Sequence, residues 1–315
     1  VRTLVIGSRG SRLALWQAEW VKARLLERGH ACRLQVIRTS GDRITDRPLA
    51  SFGGRGVFVK EIEDALIAGE IDLAVHSLKD LPTAQPEGLE ICCIPEREDA
   101  RDLLASAGGR GLRDLPPGAS VGTGSPRRAC QLRALRPDLS IRDLRGNVDT
   151  RIRKLREGDL DAIVLAAAGI RRLGETVAGR VLEIDEMVPA VGQGALAVEA
   201  RRDDRGIGAA LEPIHHPPTA AAVTAERAFL RGLGGGCQAP IAAHGEVEGD
   251  RLMLRGLVSD PQGSRLLRDT RKGSAAAAEA IGAALATAFL EQGAAALLAT
   301  APAPVTPFRP PARRS

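Results

Sequence analysis

Apolar and polar positions along the chain fall into short blocks of two periods. Residues 3–8 (Thr-Leu-Val-Ile-Gly-Ser) form an apolar run that predicts a buried strand. Ser11 stands where an N-cap belongs, and the spacing after it predicts a helix with Leu13, Trp16, Trp20 and Leu25 on or near its inner face, ending at Gly29. Strand-like runs follow at 32–39, 71–77 and 89–94, with a helical stretch near 58–68. Strands alternating with helices predict a largely parallel α/β sheet.

A second α/β unit begins after Glu96-Arg97-Glu98-Asp99, with strand-like segments at 119–123, 140–145 and 161–166 and a first turn at Pro116-Pro117-Gly118. Ala195–Arg201, after Pro189, reads as another strand. Residues 242–272 then change character. Their alternation predicts an antiparallel meander, turned at Asp260-Pro261-Gln262-Gly263 and followed by an alanine-rich helix over about 275–292. The expected units are a first lobe of residues 1–96 and 195–214, a second of 97–194, a C-terminal domain of 215–300 and a disordered proline-rich tail of 301–315. Ile6-Gly7-Ser8-Arg9-Gly10-Ser11-Arg12 and Val121-Gly122-Thr123-Gly124-Ser125-Pro126-Arg127 echo each other at strand-to-helix turns, which suggests two similar lobes.

Composition narrows the function. The 315 residues suit two or three domains. Aromatics are 2% and tyrosine is absent, which disfavours base-stacking nucleic-acid binders. A net charge of +5 from 44 basic and 39 acidic residues argues for anionic ligands without demanding a polyanion. Five cysteines with no C-x-x-C pair give neither a disulfide framework nor a zinc pattern. No apolar run of membrane length and no signal peptide is visible, so a cytoplasmic, non-membrane protein is the expectation.

Candidate chemistry sits at the turns. Gly122-Thr123-Gly124-Ser125-Pro126-Arg127-Arg128 puts an N-cap serine, an N1 proline and two arginines at a helix start. Free N–H groups, the helix dipole and guanidinium forks there suit a carboxylate. The same residues also read as a plain capped helix with solvated arginines. Leu144-Arg145-Gly146-Asn147-Val148-Asp149-Thr150-Arg151 repeats the logic, with Asp149 as the cap and Arg151 in the first turn, where a cation opposes the dipole; a solvated helix start is the alternative. Arg171-Arg172 is a weaker pair of the same kind. Asp80, in His76-Ser77-Leu78-Lys79-Asp80-Leu81-Pro82, stands at a strand end, where open α/β sheets bind ligands, or else caps a turn. His76 alone is more often a hydrogen-bonded core residue, and no second His, Cys or carboxylate gives it metal-ligand spacing. Gly53-Gly54-Arg55-Gly56 reads as a mobile loop. In Leu233-Gly234-Gly235-Gly236-Cys237-Gln238-Ala239-Pro240, three glycines precede one thiol, a loop that presents sulfur as a nucleophile or attachment point. A small residue in a tight turn is the bland reading.

Taken in order, Gly53–Glu61, His76–Pro82, Leu144–Arg151, Val191-Gly192-Gln193-Gly194-Ala195 and Gly235-Gly236-Cys237-Gln238 resemble the porphobilinogen deaminase family, from about Thr3 to Ala299. The resemblance implies two α/β lobes resembling type II periplasmic binding proteins around an active-site cleft, plus a smaller α/β C-terminal domain with an antiparallel sheet. It implies a dipyrromethane cofactor joined to Cys237 by a thioether. It implies that four porphobilinogen molecules are condensed on that cofactor with loss of ammonia, and that hydroxymethylbilane is then released by hydrolysis for uroporphyrinogen-III synthase. Each porphobilinogen carries an acetate and a propionate. Arg9, Arg127, Arg128, Arg145, Arg151 and Arg172 match the family's carboxylate-binding arginines. Ser11, Thr123 and Ser125 would add neutral donors, and Lys79 matches a cleft residue. Asp80 matches the catalytic carboxylate, suited to a developing cation and to pyrrole N–H groups. A monomer and no metal are expected.

Three positions depart from the family's pattern. Arg55 replaces a frequent lysine in the mobile loop, Ser51 replaces another, and Gly124 replaces a serine, removing a donor. Two other classes compete. A bilobal anion receptor would bind reversibly, with no covalent adduct. A cysteine hydrolase would need His76 beside Cys237 and an oxyanion hole.

Overall fold

The computed structural model describes residues 2–40, 59–236, 238–300 and 306–307. The first lobe starts with β1 (Leu4–Ser8), α1 (Arg12–Leu26) and β2 (Cys32–Val36), then α2 (Lys60–Ile67), β3 (Leu73–Ser77) and β4 (Leu89–Cys93). The second is built from β5 (Asp102–Ser106), β6 (Ser120–Gly122), α3 (Pro126–Leu135), β7 (Ser140–Asp143), α4 (Val148–Arg156), β8 (Ala162–Ala166), α5 (Ala167–Leu173) and β9 (Gly179–Leu182). The chain then returns to the first lobe with β10 (Leu196–Arg201) and α6 (Arg205–Leu211). A third unit holds α7 (Pro217–Gly232), β11 (Ile241–Glu248), β12 (Arg251–Ser259), β13 (Leu266–Ser274), α8 (Ala278–Glu291) and α9 (Ala294–Leu298).

Both large sheets are mixed rather than largely parallel. The first has the order β2-β1-β3-β10-β4, and β10 runs antiparallel to both neighbours. The second has the order β14-β7-β6-β8-β5-β9, with β14 formed by Thr306–Pro307, and β5 opposes β8 and β9. The reason is the route of the chain. β5 enters one lobe and β10 re-enters the other as crossings between lobes, so each meets its sheet from the opposite direction. The third sheet, β11-β12-β13, is the expected antiparallel meander. The second sheet adds a finding on the tail: β14 runs parallel to β7 at its edge. The other tail residues lie outside those described.

Each lobe wraps its own apolar layer. Ile6, Leu73, Val75 and Val198 face Ala18, Val21 and Leu25 of α1 in the first; Leu104, Val121, Ile141 and Val164 face Ala129 and Leu132 of α3 in the second. The inner face of α1 is Gln17, Ala18, Val21 and Leu25, one position round from the predicted stripe. Trp16 is 37% exposed and turns toward the other lobe, while Trp20 is half-buried. In the third unit, α7 and α8 pack so closely that a Cβ on Gly282 would stand 2.2 Å from the Ala225 carbonyl oxygen. Phe229 and Phe289 meet edge-on there at 5.1 Å.

Candidate active site

The turns predicted to carry chemistry surround one cleft between the two lobes, with a free volume of about 250 Å³. Its walls bring together Arg9, Ser11, Lys79 and Asp80 from the first lobe with Arg128, Arg151 and Arg172 from the second. The first-lobe groups come from strand ends. β1 ends at Ser8, and Ser11 caps α1 by accepting from the Ala14 N–H at 3.3 Å. β3 runs into a single 3-10 turn, Leu78–Asp80, which leaves the Asp80 side chain exposed and buries Leu78 as its anchor. Burial lowers Lys79 to about 8 against the opposing pull of Asp80.

The second-lobe arginines divide by burial. Arg127 and Arg128 are both buried and share one carboxylate, Asp102, at the start of β5. Arg127 donates to Asp102 Oδ2 at 2.7 Å and to the Val188 carbonyl at 2.8 Å. Arg128 donates to Asp102 Oδ1 at 2.8 Å and to the Val164 carbonyl at 2.9 Å. Gln193 adds a bond to the same Oδ1 at 2.9 Å. Burial alone would raise the Asp102 carboxyl, but the two guanidiniums outweigh it and hold it well below the usual range. Arg128 reaches the cleft wall; Arg127 does not, and neither do Thr123, Ser125 and Arg145. Thr123 is buried, with its hydroxyl accepting from the Ser125 N–H at 3.1 Å. Ser125 occupies the N-cap position of α3 without a side-chain cap bond. Gly124 fits a tight passage, since a Cβ there would meet the Leu144 carbonyl oxygen at 2.9 Å. Arg145 pairs with Asp143 at 2.7 Å.

α4 starts two residues earlier than predicted, with Asn147 rather than Asp149 at the N-cap. Asp149 instead crosses to the other lobe, accepting from Arg12 at 2.9 Å; Glu175 accepts from the same Nη1 at 2.6 Å. Arg151, whose Nε donates to the Gly146 carbonyl at 2.8 Å, is lowered to about 10 by burial and then by Arg128. Arg172, also lowered to about 10 by burial, donates to the Gly194 carbonyl at 2.7 Å and lies 5.8 Å from the Trp16 ring centroid. Sequence reasoning missed Arg12 and Gln17 as cleft-lining groups, Trp16 as the ring beside Arg172, and Asp102 as a counter-ion. An aspartate opening the apolar run Asp102-Leu-Leu-Ala-Ser was the available signal for the last.

His76 is a core residue here. Its Nε2 stands 3.2 Å from Glu199 Oε2, although the ring also borders the cleft. Cys237, Arg55 and Ser51 lie outside the described residues. The other four cysteines are free thiols. Among the described residues, no group of three His, Cys, Asp or Glu side chains could hold a metal ion, and no helix is long and apolar enough to cross a membrane.

Cations on both walls and a carboxylate at a strand end make this a two-lobed α/β protein with a cleft suited to an anionic ligand. Residues 4–209 match the family model described as porphobilinogen deaminase, dipyromethane cofactor binding domain, and residues 220–291 match its C-terminal domain. Curated porphobilinogen deaminases are similar over nearly the whole chain. That of Geobacter metallireducens is 52% identical, covering 95% of this chain and 94% of its own length. That of Syntrophotalea carbinolica is 51% identical, covering 98% of both. The chain belongs to the porphobilinogen deaminase family. Among solved structures, a periplasmic substrate-binding protein of an ABC transporter from Coxiella burnetii aligns with 71% of this chain and 96% of its own at 14% identity and a TM-score of 0.44. Substrate-binding domain 2 of Lactococcus lactis GlnP aligns with 74% and 90% at 11% identity and a TM-score of 0.42.

Proposed function

We propose that this chain condenses four porphobilinogen molecules head to tail on a dipyrromethane primer held through Cys237, releasing ammonia at each step and hydroxymethylbilane at the end. It is a transferase of tetrapyrrole (haem) biosynthesis, and its product is the substrate of uroporphyrinogen-III synthase. We place it in the cytoplasm as a monomer. The observation that carries the reading is the pairing of cationic walls with Asp80 in one cleft. Every pyrrole of the growing chain brings two carboxylates, so its charge rises with each addition and needs a cationic lining on both sides.

The donor set fits the dipyrromethane, whose carboxylates call for guanidiniums and whose N–H groups call for an anion. Arg128, Arg151 and Arg172 would take its carboxylates from one lobe, with Arg9, Ser11 and Lys79 opposite. Bound through a thioether, it supplies the nucleophilic pyrrole carbon to which the first porphobilinogen is joined. Asp80 orients pyrrole N–H groups and stabilises the cation left when ammonia departs from porphobilinogen. Arg127 supports Arg128 by sharing Asp102, while Arg145, Thr123 and Ser125 shape the second-lobe turns that carry the wall.

Intact-protein mass spectrometry tests the reading. The wild-type chain should carry an excess of two linked pyrrole units, lost in Cys237→Ser. A reversible receptor or a cysteine hydrolase would carry none.

A further inference from the structure

Helix α1 rests on helix α5 across the boundary between the lobes, and the contact keeps a helical period on both sides. From α1 come Arg12, Leu13 and Trp16; from α5 come Gly169, Arg172 and Leu173. Their spacings of three and four residues put each set on one helix face. Arg12 donates to the Leu173 carbonyl at 3.1 Å. Leu13 covers Gly169, where a Cβ would stand 3.6 Å from Leu13 Cδ2. Trp16 faces Arg172, whose guanidinium carbon lies over the ring at 5.8 Å from its centroid, within the reach of a cation–π contact. Trp20, one turn on, packs against the core of the first lobe, whereas Trp16 belongs to neither lobe's core.

Arg172 differs from the other buried arginines of this wall. Arg127 and Arg128 are paired with Asp102. Arg172 is 9% exposed, and its one side-chain hydrogen bond among the described residues runs from Nη2 to the Gly194 carbonyl at 2.7 Å. Among those residues no carboxylate forms an ion pair with it. Glu98, whose charge acts on it, is paired with Arg171 at 3.0 Å. A buried guanidinium needs some compensation for lost water. A carboxylate would supply it, but would also occupy the N–H fork that a ligand carboxylate needs. The face of an indole attracts the cation and takes none of its in-plane N–H groups.

We propose that Trp16 is a positioning residue for Arg172: its ring, brought from the other lobe, seats the guanidinium at the cleft wall and leaves its N–H groups to ligand carboxylates. Arg172 lines the cleft and Trp16 does not. Because ring and cation stand on different lobes, the seat exists only while α1 and α5 are together. Arg172 is therefore set for a carboxylate in the closed cleft and not in an open one. The proposal rests on the condensation reading, in which those carboxylates belong to porphobilinogen and the primer.

Trp16→Leu keeps apolar bulk and removes the ring. Its kcat/KM for porphobilinogen should fall about tenfold, mainly through KM, while Trp16→Phe should keep most of the wild-type value. The loss should depend on the cation, so Trp16→Leu in an Arg172→Gln background should cost nothing further. A second series preserves shape. In Trp20→Phe enzyme Trp16 is the one tryptophan left. Replacing it with mono-, di- and trifluorotryptophan should lower kcat/KM stepwise, as the ring face loses negative charge. A readout without turnover uses the same variant: Trp16 emission in the resting holoenzyme should change when Arg172→Gln is added. Equal losses in Trp16→Leu and Trp16→Phe, additivity with Arg172→Gln, no trend with fluorination and unchanged emission would overturn the seat and leave the condensation intact. Wild-type protein that released no ammonia from porphobilinogen would overturn the condensation itself.

Discussion

Asp102 shows how much one residue decides. A fully buried carboxylate between two buried guanidiniums is tolerable only because every charge has a partner. Asp102→Asn leaves two cations with one neutral amide and should cost about 3–5 kcal/mol of stability by denaturant unfolding. The sign with pH follows from its depressed folded-state carboxyl. Its contribution is present above the unfolded value near ~3.9 and is lost as pH falls toward the folded one, so the variant should show a shallower acid limb. Arg127→Leu and Arg128→Leu should differ in kind. The first should lower stability and only secondarily cofactor loading, while the second should lose the mass of the primer directly. Asp80→Ala should retain fold and primer and lose turnover by about two to three orders of magnitude. The sequence placed all these arginines correctly at a helix start. It did not reveal which pointed inward, because that depends on a carboxylate one strand away that joins them only in the folded sheet.

At the scale of elements, legibility followed periodicity. β1, α1, β3, β4 and the C-terminal meander were readable because their apolar positions keep a single period over their length. β5 and β9 were missed: one is a short strand buried along its whole length and opened by an aspartate, and the other begins with glycine and arginine. α7 was missed because it opens on His-His-Pro-Pro, which looks like a break, although proline suits a first helical turn. It is also buried on several sides, down to Glu226 and Arg227, so no polar face marks it. The contact it makes with α8 gives a sharp expectation. Gly282→Ala has no room at the Ala225 carbonyl and should destabilise the protein by about 1–3 kcal/mol, seen as a lowered Tm, with Cys237 still modified. Glu63 gives another on α2. With its folded-state carboxyl near 7, its favourable contribution is complete below about 4.3 and disappears as pH rises through 7. Wild-type Tm should therefore decline over that window more steeply than that of Glu63→Gln.

For the whole molecule, two lobes and an antiparallel third unit were legible, while the way the lobes touch was not. Arg12 bridges to Asp149, Glu175 and the Leu173 carbonyl across the cleft from an exposed position. Pairs so exposed are worth less than about 1 kcal/mol and weaken with salt. Arg12→Ala should thus leave unfolding stability nearly unchanged. Small-angle scattering at low salt should show it as more open than wild type, with the difference disappearing at high salt.

The position of β10 sets the order in which the molecule can be made. β10 fills the gap between β3 and β4, with Val198 opposite Cys93, yet more than a hundred residues separate these partners in the chain. During synthesis β3 and β4 therefore emerge from the ribosome with a strand-wide vacancy between them, two unpaired edges of apolar sheet. They must wait while the entire second lobe is translated, several seconds at about 5–20 residues per second. Nascent chains truncated before Leu196 should hold a folded second lobe beside an unfinished first one, and it is there that chaperones would be needed.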